Sequence, residues 1–388
     1  MQKVHSLTGR ITPALMRQAF KSVKRNRGAA GIDKVSITMF ADNLEQNLNA
    51  LMRGLKDGSF QPKPLRRTYI PKGSDQLRPL GIPAVSDRVA QEVLRRLLEP
   101  VFEPLFHNQS FGFRPQRNCH KAVERVVELY REGYRYVLDA DLKGFFDNIP
   151  HNVIMASLSA VVADGNILHL VKRFLSAGVM ENGVFKPTTI GTPQGGVVSP
   201  LLANVTLNAL DWHFEKLGLQ FVRYADDFVV LCRSKTQAQE ALTMLQSWLP
   251  EQLGLQLSEE KTKVRSFTEG FDFLGFTISS RSIRMRNKSV EKFKTKVRDI
   301  TGRSYNLDAD LVERLNRVIR GTANYFATSF SQCATLFHNL DAWIRMRLRC
   351  CKLKRKWATD NKRVRNKHLQ RMGLLGLTNF LPAPAIAH

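Results

Sequence analysis

The sequence predicts an α+β fold in which a mixed strand-and-helix middle lies between two helical ends. Three observations carry that expectation. FVRYADDFVVLC (221–232) holds two short runs rich in aromatic and β-branched residues, pinched around Ala225-Asp226, which reads as a tight β-hairpin. YRYVLDADL (134–142) alternates as a strand does. Before and after this middle, leucines and valines recur at three- and four-residue spacing, the period of amphipathic helices.

Taken in order, Ala14 to Lys24 is an amphipathic helix, and RNRGAAGID (25–33) a glycine-broken basic loop. Leu44, Leu48, Leu51 and Leu55 mark a second helix. Prolines and alternation between Pro62 and Pro83, as in RTYIPKG, suggest strands and loops. Residues 86–106 and 117–132 return to helical periodicity, and 134–280 mixes strands with helices. Beyond that, Leu311, Leu315, Val318, Ile319 and Phe326 share one helical face, and Trp343 to Trp357 reads as a second, very basic helix. No internal repeat or low-complexity tract is visible. Charge balance changes near SSRSIRMRN (279–287), which sets the expected domain limits at 1–135, 136–280 and 281–388.

At 388 residues the chain can bury a sizeable core. Its net charge of +25 points to a polyanionic partner, nucleic acid first. The charge is uneven: residues 281–388 carry 24 Lys/Arg against 7 Asp/Glu. One end is an electrostatic grip, and the body is nearly balanced. Five cysteines without a CxxC pair argue against a disulfide framework and against zinc. A GxxxxGK[ST] phosphate loop is absent, which disfavours a P-loop ATPase. No run of about 18 apolar residues exists to span a membrane. The N-terminus lacks a signal peptide's apolar core, so a cytoplasmic protein is expected.

Asp226 and Asp227, adjacent anions at a hairpin tip, repel each other and become comfortable when a strong cation binds. Read as a strand, YRYVLDADL turns Tyr136, Leu138, Ala140 and Leu142 to one face and Asp139 and Asp141 to the other. Carboxylates gathered at one sheet edge, helped by a neighbouring backbone carbonyl such as that of Leu142, are what Mg²⁺ needs for phosphoryl transfer. Asp147 is expected to cap the next element and Asp139 to pair with a base; neither is assigned to metal.

At these residues the sequence resembles the reverse transcriptases encoded by group II introns. ADLKGFFDNI, IGTPQGGVVSPLLANVTLNALD and RYADDFVVL follow in that order, joined by YIPKGSDQLRPLGIP, SFGFRPQRNCHKAV and FDFLGFTI, while LNRVIRGTANYF resembles the maturase segment. The resemblance covers essentially the whole chain. It implies a right-hand polymerase: helical fingers, an antiparallel palm sheet with flanking helices, and a helical thumb or maturase domain.

Residue by residue, the resemblance implies that Asp141 and Asp226 ligate two Mg²⁺ ions, for which Mn²⁺ could substitute, with Asp227 completing the cluster. Phe146 matches the steric gate against a ribose 2′-hydroxyl. Lys72 and Arg78 match the residues that hold the triphosphate. Gln194, followed by Gly195 and Gly196, would lie under the nucleotide and template. Arg114 and Tyr224 are expected to touch nucleic acid, Tyr224 at the primer end. Lys261 stays a solvated lysine, with a pyrophosphate-protonating role as the rival reading.

In AWIRMRLRCCKLKRKW, Arg345, Arg349, Lys352 and Lys356 recur at three- and four-residue intervals, one helical face of like charge suited to a phosphate backbone. With Arg320 they are the expected contacts to structured intron RNA. The implied partners are that RNA, an RNA template–DNA primer duplex, dNTPs and target DNA, and no membrane; the oligomeric state, monomer or dimer, stays open. The resemblance implies RNA-templated DNA synthesis, help with intron splicing and copying of the intron into a new site. A stand-alone relative used in DNA repair or phage defence and a non-enzymatic RNA-binding splicing factor are the rival readings. The chain stops soon after LGLTNFLPAPAIAH without an HNH module, so an existing 3′-end, such as one at a replication fork, is the expected primer.

Overall fold

A computed structural model describes residues 3–71, 77–192, 195–357 and 359–382. The chain divides into two compact units, 1–264 and 265–388.

In the first unit, the helix Pro13–Arg25 starts where the Thr12 hydroxyl accepts from the Leu15 N–H at 3.2 Å. Its inward stripe is Met16, Ala19, Phe20 and Val23. Leu44–Asp57 buries Leu48, Leu51 and Leu55 and stops at Gly58, whose φ of 77° is the left-handed C-cap that glycine favours. Each large side chain so buried contributes about 1.5–3 kcal/mol. Val85–Phe102 is buried nearly all round, including Asp87, Gln91 and Glu92.

Two four-stranded sheets follow from the alternating segments. Leu65–Pro71 and Leu77–Ile82 pair antiparallel, and Leu65 also meets Val179 in a short parallel contact with Val179–Glu181. The second sheet runs in the order Gln220–Tyr224, Asp227–Cys232, Tyr136–Asp141, Lys263–Ser266. Its first three strands are antiparallel neighbours. Leu138, Ala140 and Leu142 join the core under the helices while Asp139 and Asp141 stay half-buried on the other face, as the alternation predicts. The helix Ser199–Lys216 backs this sheet with Leu207, Leu210 and Phe214.

The second unit opens with an antiparallel meander, Phe271–Phe273, Phe276–Ile278 and Ile283–Met285, followed by the helices Asn287–Ile300, Ala309–Phe326 and Ala334–Leu353. Leu311, Leu315, Ile319 and Phe326 are buried along one face, as expected.

Two local expectations are corrected. The basic helix begins nine residues earlier than Trp343, at Ala334, and ends at Leu353, because Lys354 turns left-handed with φ 58°. Lys356 and Trp357 therefore lie beyond it, and the four-cation helical face is not continuous. Asp147 does not stand at an N-cap position: it sits inside the one-turn helix Phe145–Asn148, and the next helix, His151–Ser159, has Pro150 as its N-cap residue.

Candidate active site

The sheet brings the acidic residues together. Asp141 is the cross-strand partner of Asp227, and Tyr224 pairs with Asp227 to close a hairpin whose two-residue turn is Ala225-Asp226. Asp141 gives its carbonyl to the Ser258 N–H at 2.8 Å, and Lys143 donates its N–H to the Gln256 carbonyl at 2.8 Å. Backbone alternation then turns the polar groups of Leu142 the other way, toward the hairpin tip. It also makes Asp141–Asp227 a pair without mutual backbone hydrogen bonds, the kind in which facing side chains come closest.

Asp226 is half-buried and Asp227 exposed. Burial raises the Asp226 pKa and the charge of Asp141 adds to the effect, while Arg78 and Arg223 pull it down. Arg78, exposed on the Leu77–Ile82 strand, is thus within electrostatic reach of the acidic tip. Lys261 is not simply solvated: its Nζ pairs with Asp141 Oδ2 at 2.9 Å. Among the described residues no three His, Cys, Asp or Glu side chains already converge as a cation cage. The donor set at the sheet edge, carboxylates and a main-chain carbonyl, is nevertheless all oxygen and strongly anionic, which fits a hard divalent cation.

Phe145 is buried in the core and Phe146 is only half-buried, packed edge-to-face at 5.2 Å. The Phe146 carbonyl accepts from the Thr192 N–H at 2.7 Å, which ties the near end of the IGTPQGG segment to the backbone of that aromatic. Gly195 follows with φ 107°, and a Cβ there would lie 2.8 Å from the Gly81 carbonyl, so glycine is required. Gln91, buried in Val85–Phe102, accepts from the Val197 N–H at 2.7 Å and holds the segment's far end. Lys72 and Gln194 lie outside the described residues. Tyr224 is half-buried against Cys119, with burial and that hydrogen bond raising its pKa to about 12.

Several expected nucleic-acid contacts are placed differently. Arg114 is buried, 7% exposed, where it pairs with Glu103 at 2.8 Å and donates to the carbonyls of His107 and Ser110. Every strong donor direction is spent inside the fold, so it has a structural role. Arg349 is likewise buried, donating to the Val364 carbonyl at 2.9 Å and to Asn366 at 2.7 Å. Arg320 is exposed beside Glu313. Lys352 is exposed near His368, and Arg345 is half-exposed.

The sequence reading missed Arg223. This side chain is fully buried; Nε donates to Asp211 at 2.7 Å, and one terminal nitrogen reaches both Asn204 and the Ala225 carbonyl at 2.9 Å. Asn204 in turn donates to the Gly112 carbonyl at 2.8 Å, and a Cβ on Gly112 would fall 2.3 Å from the Ala225 nitrogen. Asn204, Asn208 and Asp211 recur at four- and three-residue spacing in ANVTLNALD, a polar stripe along one face of a helix rich in apolar residues. That pattern was the available signal.

Comparison with known proteins agrees with this geometry. The reverse transcriptase (RNA-dependent DNA polymerase) family matches residues 70–278, and the group II intron maturase-specific domain matches residues 290–373. Protein YkfC of Escherichia coli (strain K12) is 33% identical over 319 residues, 72% of this chain and 83% of that protein. The group II intron-encoded protein LtrA of Lactococcus lactis subsp. cremoris is 31% identical over 376 residues, covering 80% of this chain and 61% of its own length. An uncharacterized 91 kDa protein in the cob intron of Schizosaccharomyces pombe is 32% identical over 292 residues, 60% of this chain and 36% of that one. The chain thus spans less than two thirds of the latter two relatives.

Proposed function

Since the chain belongs to the family of group II intron reverse transcriptases and maturases, we propose that it is an RNA-directed DNA polymerase that binds its intron RNA, assists splicing and copies the intron into DNA. The observation that carries the reading is the cross-strand pairing of Asp141 with Asp227 beside Asp226 at the hairpin tip. In this reading residues up to 135 form fingers, 136–280 the palm, and 281–388 the thumb or maturase domain.

Asp141, Asp226 and Asp227, with the Leu142 carbonyl, would hold two Mg²⁺ ions or substituting Mn²⁺. Bound there, such ions supply activation of the primer 3′-hydroxyl and neutralisation of charge on the triphosphate. Arg78, with Lys72, orients the triphosphate, and the potential it already exerts on Asp226 supports that role. The half-buried Phe146 ring would stand against a ribose 2′-hydroxyl, and its edge-to-face packing on Phe145 and the Thr192 N–H bond to its carbonyl support a fixed position. Gln194 would lie beneath the base pair, and the Gly195–Gly81 approach supports a tight backbone floor there. Tyr224, braced by Cys119, would meet the primer end. RNA is the partner of the basic second unit; dNTPs, the template–primer duplex and target DNA complete the set. Among the described residues no helix is long and apolar enough to cross a membrane.

Primer extension on an RNA template, with dNTPs against NTPs, tests the reading. DNA synthesis is expected, and Phe146→Ala is expected to admit ribonucleotides. Absence of templated extension by the wild-type chain overturns it.

A further inference from the structure

The second unit contains a cavity of about 870 Å³ between the end of the helix Ala334–Leu353 and the segment after it. Arg345 and Arg349 reach it from successive turns of that helix, and Lys356, Arg365 and Lys367 from the segment. Trp357 lies at its rim, 63% exposed, with the Arg355 guanidinium 4.3 Å from its ring centroid. The cavity's one carboxylate is already engaged. Asp360, 2% exposed, accepts from Arg355 at 3.2 Å and from the Trp357 N–H at 3.3 Å. Among the described residues Arg345, Lys356, Arg365 and Lys367 have no carboxylate partner.

Cations gathered in a concavity without counter-ions repel one another, a cost that an anion would remove. A free phosphate ion explains the charge but neither the volume nor the exposed indole. A duplex offers phosphates, but its bases are stacked away and cannot enter a recess. A nucleotide whose base is unstacked supplies both a flat ring and flanking phosphates. We propose that this cavity holds one unstacked nucleotide of a single-stranded nucleic acid segment, its base on Trp357 and its phosphates among Arg345, Lys356, Arg365 and Lys367. This deepens the nucleic-acid-binding part of the function proposed above and rests on it.

The test is equilibrium binding of the full chain to a short unstructured RNA, to DNA of the same sequence, and to a blunt duplex. Trp357→Ala is expected to weaken single-strand binding about 5- to 150-fold, the range for one base–aromatic stack, and to leave duplex binding unchanged. Trp357→Phe restores most of the affinity. An abasic nucleotide at the bound position weakens wild type and adds nothing to the Trp357→Ala loss. The Arg345→Gln/Lys356→Gln double variant lowers the salt slope by about 0.7 per cation removed. A Trp357-dependent loss confined to the ribose strand identifies RNA as the source, and an equal loss on the deoxyribose strand extends the site to single-stranded DNA. Unchanged single-strand affinity in Trp357→Ala, or equal losses on single strand and duplex, overturns the proposal. Single-nucleotide incorporation by the same preparations keeps the two readings apart. A wild type that shows the Trp357-dependent binding but never extends would contradict the polymerase reading alone.

Discussion

The buried Arg223 guanidinium donates to the carbonyl of Ala225, two residues ahead, at 2.9 Å. Ala225 is left-handed at φ 60°, a conformation that costs a non-glycine residue about 1–2 kcal/mol. The arginine is clamped from behind by Asp211 and Asn204, so the helix Ser199–Lys216 reaches through the core to fix the turn that carries Asp226. Arg223 is accordingly a positioning residue. In Arg223→Lys the charge remains but the fork is lost. The expected outcome is a rise in the Mg²⁺ concentration giving half-maximal incorporation and at least about a tenfold fall in kcat, with KM for dNTP little changed. A purely structural arginine would lower Tm without moving the Mg²⁺ midpoint.

Asp211→Asn tests the same clamp from its other end. It leaves a buried guanidinium without its counter-charge, which costs about 3–5 kcal/mol. Denaturant titration of the first unit's transition should show that loss, whereas substitution of the exposed Glu313 should not.

Ala225 itself gives an opposed pair of variants. Glycine relieves the left-handed backbone, so Ala225→Gly should keep or slightly raise stability, by up to about 1 kcal/mol. Valine adds methyl groups at a site only 6% exposed, tight against Gly112, and resists positive φ. Ala225→Val is expected to lower incorporation at least about tenfold. Single-turnover assays on both variants check the ordering.

Asp87 sets a pH dependence. Burial raises its pKa to about 6, opposed by the Lys63 N–H that donates to it at 2.8 Å. The folded protein favours the neutral acid, so its contribution to stability is complete below the ordinary carboxylate range near 4 and is lost as pH rises through about 6. The loss should reach at most about 3 kcal/mol. Denaturation across pH 4 to 8 is expected to be flatter in Asp87→Asn than in wild type.

Lys261 stands on Asp141 where a divalent cation would also be drawn. Removing a competing positive charge should lower the Mg²⁺ requirement, so Lys261→Ala is expected to shift the midpoint of a Mg²⁺ titration downward. An upward shift would mean that the lysine assists cation binding instead.

Much of this site was legible because its signals are local. Alternation in YRYVLDADL fixes which side of the strand Asp141 leaves from, and the Ala225-Asp226 pinch fixes the hairpin. The amphipathic helices followed from Leu48, Leu51 and Leu55 and from Leu311, Leu315 and Ile319 in the same way. What escaped depends on partners distant in sequence. Arg114 and Arg223 look like any surface arginine until Glu103, Asp211 and Asn204 fold around them. The parallel contact of Leu65 with Val179 has no local mark. The end of the basic helix escaped because spacing cannot reveal that Lys354 turns left-handed, which leaves Lys356 and Trp357 off the helix.

The most direct measurement is single-nucleotide incorporation on an RNA template, titrated with Mg²⁺, for wild type, Asp141→Asn and Asp226→Asn. Wild type should incorporate in a Mg²⁺-dependent manner, and each variant should lose at least about a thousandfold in rate while still binding template–primer. Incorporation at the wild-type rate by either variant would contradict the assignment of the paired strands as the catalytic centre.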